Sequence, residues 1–420
     1  MSAPPPTAGA SGGGSEGLGI RRAVLIFLAA AVLRAGYGGF LLARAADPAA
    51  LTFPDEQQYW LMAESLSDGR GMVDELGFRA TRMPLYPGLL SLFAAAGGGG
   101  VVAARAAHWL IGAAGAVLVG LLGARLGGGR VGLAAGLLVA FDPALVGLSS
   151  LLLTETLHVA VLAALWWVGW PLLERRPGFR GGRWLAVGVL ASLNVYVRPS
   201  IAGLVLLWLG LLFVRRPTRR DLAGVACAGG VVVLSLVPWA ARNQRVTGHW
   251  CWLTHRLGIS LYDGVGPQAT GAGDLGDVKA MPAVAGLDEV AWNEWFLDHA
   301  WQAMRDDPRR TLRLAGTKLA RTWSPVLHAD EYSSPWIRLI FGGWSVSFFG
   351  LALGGVVLLR CRPAVWIALL LPAAYVALLH SLFVGSVRYR VTATPTLAVL
   401  AGWAVIALWQ RRRRQPEAQV

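Results

Sequence analysis

Charge is what this sequence has least of: charged residues make up 15% of the chain against 55% hydrophobic, and the mean hydropathy is +0.52. That balance excludes a string of soluble domains, although 420 residues would accommodate two or three. Cysteine is almost absent. Cys227, Cys251 and Cys361 are scattered, and only Cys251 falls outside an apolar block or a basic turn, so neither a disulfide framework nor a CxxC metal site follows. The common soluble-enzyme signatures are missing too: no GxGxxG after a strand pattern, no P-loop, no HExxH and no G-x-S-x-G. The seven histidines are dispersed, and the pair His249 and His255 is too few for a zinc site. The glycine clusters at 97–100 and 127–129 break helices rather than cradle phosphates. A net charge of +14 does not point to nucleic acid, because the arginines gather at the ends of apolar blocks and form no basic stripe interleaved with aromatics.

What is present is a series of apolar blocks of about 18 to 24 residues, each long enough to cross roughly 30 Å of hydrocarbon. Inside lipid such segments satisfy their backbone only as helices, which predicts an all-α polytopic membrane protein. The expected spans are about 21–43, 100–123, 130–148, 150–172, 183–197, 199–215, 221–240, 337–359, 364–383 and 392–410, about ten in all. Segment 85–96 is apolar but too short to span. Residues 1–20, rich in Pro, Ala, Gly and Ser, read as a disordered tail, and the run 23–42 is too long for a signal peptide and is followed by further spans.

The arginines orient the chain. With the N-terminus in the cytoplasm, the inside turns carry Arg125 and Arg130, then Arg175, Arg176, Arg180 and Arg183, then Arg215, Arg216, Arg219 and Arg220, then Arg360 and Arg362, and last the basic tail 411–420. The short outside turns carry none or one, as the positive-inside bias requires, so both termini are expected in the cytoplasm. A single membrane domain over 21–410 then leaves two larger outer loops, about 45–84 and about 241–336, rich in charged, aromatic and Gly/Pro residues. Chemistry or binding is expected there.

The first loop opens on Pro54-Asp55-Glu56. Proline and two acids suit a helix first turn, so the carboxylates serve equally as a cap or as groups held at the bilayer surface for proton transfer or metal binding. Tyr59 continues an amphipathic stripe. Arg79 and Arg82 stand where the chain re-enters lipid and could grip a phosphate bidentately, or simply snorkel. Charges inside spans are rare and informative: Glu155, Asp142, Arg198 and Arg34 lie at depths where they can pair or line a cavity. Arg242 and Asn243 emerge from the seventh span, Lys318 and Arg321 lie in a basic helical pattern, and Arg388 and Arg390 precede the last span, where arginine departs from the inside bias.

Taken in order, these landmarks resemble a family: the multispanning, lipid-sugar-dependent glycosyltransferases related to protein O-mannosyltransferases and the lipid A aminoarabinose transferase. Asp55-Glu56 with Tyr59, the segment from Gly69-Arg70-Gly71 to Arg82-Met83-Pro84-Leu85-Tyr86-Pro87, Thr154-Glu155, Arg198-Pro199, Pro238-Trp239-Ala240-Ala241-Arg242-Asn243 and Arg388-Tyr389-Arg390 with Pro395 carry the resemblance. It implies a GT-C fold in a bacterial cytoplasmic (inner) membrane, a polyprenyl-phosphate sugar donor, and inversion at the anomeric carbon. Carried over by position, Asp55 is the general base and Glu56 orients acceptor or metal. Arg79, Arg82, Arg242, Arg388 and Arg390 attend the phosphate, with Tyr59, Glu155, Arg198, Asn243, Lys318 and Arg321 in support. A divalent metal ion stays open, with Asp55 and Glu155 as candidate ligands. The acceptor, whether protein, lipid or glycan, is not specified. Relatives often carry a folded outer domain after the last helix, where this sequence is expected to have only a basic tail. The rival reading is a transporter or flippase of lipid-linked sugars, against which stands the lack of duplicated halves with matching broken helices.

Overall fold

The computed structural model describes residues 17–174, 181–213, 217–273, 281–328, 334–358 and 363–414. Most of the expected 1–20 tail lies outside the described residues, as do Arg175, Arg176, Arg180, Arg215, Arg216, Arg360, Cys361 and Arg362. Among the described residues every regular element is helical. The first half comprises α1 (Ile20–Arg44), α2 (Pro54–Ser67), α3 (Leu85–Ala94), α4 (Gly98–Gly127), α5 (Gly129–Ala140), α6 (Pro143–Leu148), α7 (Glu155–Leu173) and α8 (Gly181–Val197). The second comprises α9 (Ala202–Gly210), α10 (Arg219–Thr247), α11 (Leu257–Val265), α12 (Glu289–Asp306), α13 (Pro308–Thr322), α14 (Pro335–Leu358), α15 (Pro363–Leu382) and α16 (Thr394–Arg414).

Six of these are long and apolar enough to cross a membrane by length and composition: α1, α4, α7, α10, α14 and Val365–Leu382 of α15. They leave large apolar side chains such as Leu28, Val32, Leu234, Leu353 and Val357 exposed, which suits a lipid-facing surface. The chain is an integral membrane protein of the all-α polytopic class. The helices α5, α8, α9 and α16 occupy the other expected intervals. The expected span 130–148 is not one helix. Pro143 cannot donate to the carbonyl of Val139, so the helix breaks, and Asp142 restarts it by accepting from the N–H groups of Ala144 and Leu145 at 2.9 and 3.1 Å. The carbonyls of Val139 and Ala140 that the break sets free are taken up by Arg34 from α1 at 3.3 and 3.2 Å, which explains an arginine 1% exposed inside a span.

The core gathers α1, α4, α5, α7 and α16. Small residues bring these helices close: a Cβ on Gly132 of α5 would lie 2.5 Å from the Gly120 carbonyl oxygen of α4. In the two long loops between spans, α2 and α3 pack together and against α4, and α11 packs on α12 around Phe296, Trp292 and Tyr262 as a small second core.

The two long loops are tied to each other. Glu289, at the start of α12, accepts from the backbone N–H of Arg79 and Ala80 at 2.7 Å each. Ala80 accepts in turn from the His255 N–H at 2.9 Å, and the Arg242 guanidinium donates to the Arg79 carbonyl at 2.7 Å. Asp74 curls the chain between them by accepting from Leu76 and Phe78 N–H and the Thr81 hydroxyl. The path of residues 74–82 is therefore fixed from both sides, and it ends by presenting Arg82.

Candidate active site

Asp55 lies in the first turn of α2, with Pro54 at the first helical position. Phe53, just before the helix, has no side-chain oxygen to cap it. Glu56 does that work, accepting from the N–H groups of Thr52 and Phe53 at 3.2 and 3.1 Å, while its other oxygen accepts from the Leu152 N–H at 2.8 Å. Glu56 is fully buried, with Arg105 at 3.9 Å. Its neighbour is left turned the other way, with the Asp55 side chain 23% exposed.

Each Asp55 oxygen meets a guanidinium. Arg82 approaches Oδ1 and Arg388 approaches Oδ2, both at 2.5 Å. Arg388 comes from Val387–Thr392, a 3-10 segment between α15 and α16, so the contact joins residues 333 positions apart. Arg82 is held over the Tyr59 ring at 4.7 Å, donates to the Tyr59 hydroxyl at 3.1 Å, and donates through Nε to Gln58 at 2.7 Å. Behind Arg388 stands Glu155, 2% exposed, 3.6 Å from Arg388 Nε and 3.3 Å from Arg198. Tyr389 stacks on His380 at 4.0 Å and receives Arg388 and Arg198 on its ring at 5.1 and 5.5 Å. Burial alone would raise the Asp55 carboxyl, but Arg82, Arg388 and Arg256 together hold it well below the usual carboxylate range.

The structure thus brings together Asp55, Tyr59, Arg82, Glu155, Arg198 and Arg388 of the residues singled out by sequence. The others lie apart. Arg79 is exposed and engages the rest of the protein through its backbone. Arg242 stacks on Trp239 at 4.9 Å while bracing the Arg79 carbonyl, and Asn243 donates to the carbonyls of Cys251 and Leu253 at 3.0 and 3.3 Å. Arg390, buried, turns toward α14: it donates to the Ser324 carbonyl and the Ser345 hydroxyl and covers the rings of Phe341 and Phe349. Lys318, fully buried, donates to the Ser381 and Leu382 carbonyls that close α15, at 3.2 and 2.6 Å, and burial pushes its ammonium down to about 8. Arg321 reaches the Gly385 carbonyl at 3.4 Å. Lys318 and Arg321 therefore fix the chain that leads into Arg388.

Two residues of the cluster were not legible in sequence. Gln58 is a junction, accepting from Arg82 and donating to Glu75 at 3.1 Å. Arg256, just before α11, hydrogen-bonds Gln58 Oε1 at 3.4 Å, an oxygen already held more tightly by Arg82. Burial, and then the neighbouring charge of Arg82, push the Arg256 guanidinium down to about 10. One arginine after a loop histidine carries no signal of its own; only folding of the second loop over the first puts it here.

Three guanidiniums, Arg82, Arg198 and Arg388, thus pair with Asp55 and Glu155, and Arg256 adds a fourth, acted on by both Asp55 and Glu75. That donor set suits an anion. A divalent cation at Asp55 or Glu155 would have to displace the guanidinium nitrogens that face both Asp55 oxygens and Glu155 Oε1. No group of three or more His, Cys, Asp or Glu converges among the described residues.

No protein-family model matches the chain, and no curated protein matches it by sequence. Solved structures do match. The oligosaccharyltransferase of Archaeoglobus fulgidus in its apo form superposes with a TM-score of 0.59 at 14% identity, over 95% of this chain and 51% of that one. The archaeal oligosaccharyltransferase AglB from the same organism, solved with an inhibitory peptide and a dolichol-phosphate, gives 0.55 at 14% identity over 95% and 52%. ArnT from Cupriavidus metallidurans bound to undecaprenyl phosphate is matched with a TM-score of 0.43 at 16% identity, over 92% of this chain and 78% of that one. The chain has the GT-C fold, and it spans about half the length of the oligosaccharyltransferases it matches.

Proposed function

We propose that this protein is an inverting glycosyltransferase that moves a sugar from a polyprenyl-phosphate donor to an acceptor at the outer face of a bacterial cytoplasmic membrane, with both termini inside. The observation that carries the reading is the Asp55 carboxylate clasped by Arg82 and Arg388 at 2.5 Å on each oxygen, backed by Glu155 and overlooked by Arg256. A purely structural ion pair needs one guanidinium, and an excess of them around one carboxylate suits a base beside an anionic leaving group. That the matching oligosaccharyltransferase has been solved with a dolichol-phosphate supports a lipid phosphate as the anion here.

In this reading the donor's phosphate competes for the arginines and draws them off Asp55. The freed carboxylate takes the proton of the acceptor's nucleophile as that atom attacks the anomeric carbon from the side opposite the phosphate. The bond from the anomeric carbon to the phosphate oxygen breaks, and its electron pair leaves on the lipid phosphate, where Arg82, Arg256 and Arg388 balance it. The guanidiniums keep Asp55 ionised at rest, and as they pass to the phosphate the burial that raises its carboxyl is no longer opposed, so it becomes a stronger base as the acceptor's proton arrives. Glu155 keeps Arg388 and Arg198 in place throughout.

The test is a transfer assay with the full chain in lipid and a panel of polyprenyl-phosphate sugars. Donor-dependent release of lipid phosphate is expected for one of them; tight donor binding without turnover across candidate protein, lipid and glycan acceptors would favour a transporter or flippase instead. Arg256→Gln is expected to weaken polyprenyl-phosphate binding about tenfold, as loss of a charge-assisted phosphate contact does, read by titration calorimetry. Unchanged affinity would remove Arg256 from the phosphate site.

A further inference from the structure

Directly beneath the charged cluster lies a second polar layer on the same three elements. Glu155 of α7 is followed three residues on by His158, Arg198 is preceded by Asn194 on α8, and Arg388 is followed four residues on by Thr392. The three lower residues meet: His158 Nδ1 is 2.6 Å from Asn194 Oδ1, and His158 Nε2 is 3.1 Å from the Thr392 hydroxyl. All are buried, His158 to 1% exposure. With its Nδ1 proton donated to the amide oxygen, the imidazole accepts from Thr392 through Nε2. Nothing in the transfer step uses this layer.

Its use follows from the segment it holds. Val387–Thr392 is six residues of 3-10 helix, longer than such poorly bonded helices usually persist unaided. It has lateral support at its middle, where Tyr389 stacks on His380, and at its lower end, where Thr392 meets His158. Arg388 is on this segment and must meet Asp55 and the donor's phosphate within a fraction of an ångström to act on either.

We propose that His158 is a positioning residue, which through Thr392 sets where the Arg388 guanidinium stands. The proposal rests on the phosphate-binding role assigned to Arg388 above. The test is a double-mutant cycle read as polyprenyl-phosphate affinity of the full chain in nanodiscs. His158→Leu is expected to weaken binding about tenfold, a usual coupling between residues of one network. In an Arg388→Ala background the same substitution should cost less than about twofold, while in an Arg82→Ala background the full loss should return. Thr392→Val, the milder change, should behave as His158→Leu does and serves as the probe where the leucine variant fails to fold. A loss that persists undiminished after Arg388→Ala overturns the positioning role and leaves the function intact. Failure of the parent to bind polyprenyl phosphate overturns both.

Discussion

Asp55→Asn is expected to lower sugar transfer by about 10²–10⁴-fold, the usual worth of a general base, while tightening the grip on polyprenyl phosphate. The two effects have one cause. In the parent both Asp55 oxygens are occupied by Arg82 and Arg388, so the donor's phosphate must compete with the protein's own carboxylate. Asparagine is nearly the same size but carries no charge. The guanidiniums lose their internal partner, and a phosphate gains what the carboxylate has given up. The variant should therefore unfold at a lower temperature than the parent when no lipid phosphate is present, and be stabilised more than the parent when it is added, because a ligand that binds the folded state stabilises it according to its affinity. Titration with a polyprenyl phosphate, with turnover measured in the same preparation, reads both halves. Lost turnover with unchanged or weaker affinity would mean that Arg82 and Arg388 do not carry the phosphate, whatever Asp55 does. Acidification of the parent should not imitate the variant near neutrality. The folded carboxyl titrates below its unfolded value, so the stability it contributes is fully present above the usual carboxylate range and is lost only as pH falls through the depressed value.

Much of this was legible in the sequence because membrane insertion imposes local rules. Apolar blocks and their flanking arginines are enough to announce helices and suggest a topology, but they did not announce the break at Pro143, which cuts the expected span 130–148 in two. Glu155 and Arg198 stood out as charges inside expected spans, Asp55 and Arg82 as charges of the first polar loop, and Arg388 as an arginine against the inside bias. What could not be read was which charges meet. Arg388 and Arg390 are two residues apart, yet the first turns to Asp55 and the second to Ser324 and Ser345, because the 3-10 turn places them on different sides. Arg242 had the same look as Arg82 and became a brace for the Arg79 carbonyl. Such partners depend on how the second long loop lies over the first, and that is settled by backbone contacts such as Glu289 with Arg79 and Ala80, which leave no pattern in composition or spacing.

Adjacent acids also divide their work in a way that only the fold reveals, and Glu56→Ala is the variant that separates them. Glu56 takes backbone N–H groups from Thr52, Phe53 and Leu152, and so ties the start of α2 to the turn before α7. It is fully buried, with Arg105 beside it, and Arg105 itself donates to the carbonyls of Pro48 and Ala50 at 2.7 Å each. Alanine would leave three donors facing a small void and one arginine with its negative neighbour gone. Removing one partner of a buried charged arrangement costs about 3–5 kcal/mol, well beyond what a surface cap contributes. The expected result is a marked fall in thermal unfolding temperature, measured in detergent or nanodiscs, that added polyprenyl phosphate does not restore. Transfer falls as well, but as a consequence of losing α2. In Asp55→Asn the order is reversed: chemistry is lost first, and lipid phosphate recovers the stability. If Glu56→Ala kept the parent's unfolding temperature and lost only turnover, Glu56 would belong with the reacting groups, and the buried hydrogen bonds at its oxygens would have to open during the reaction.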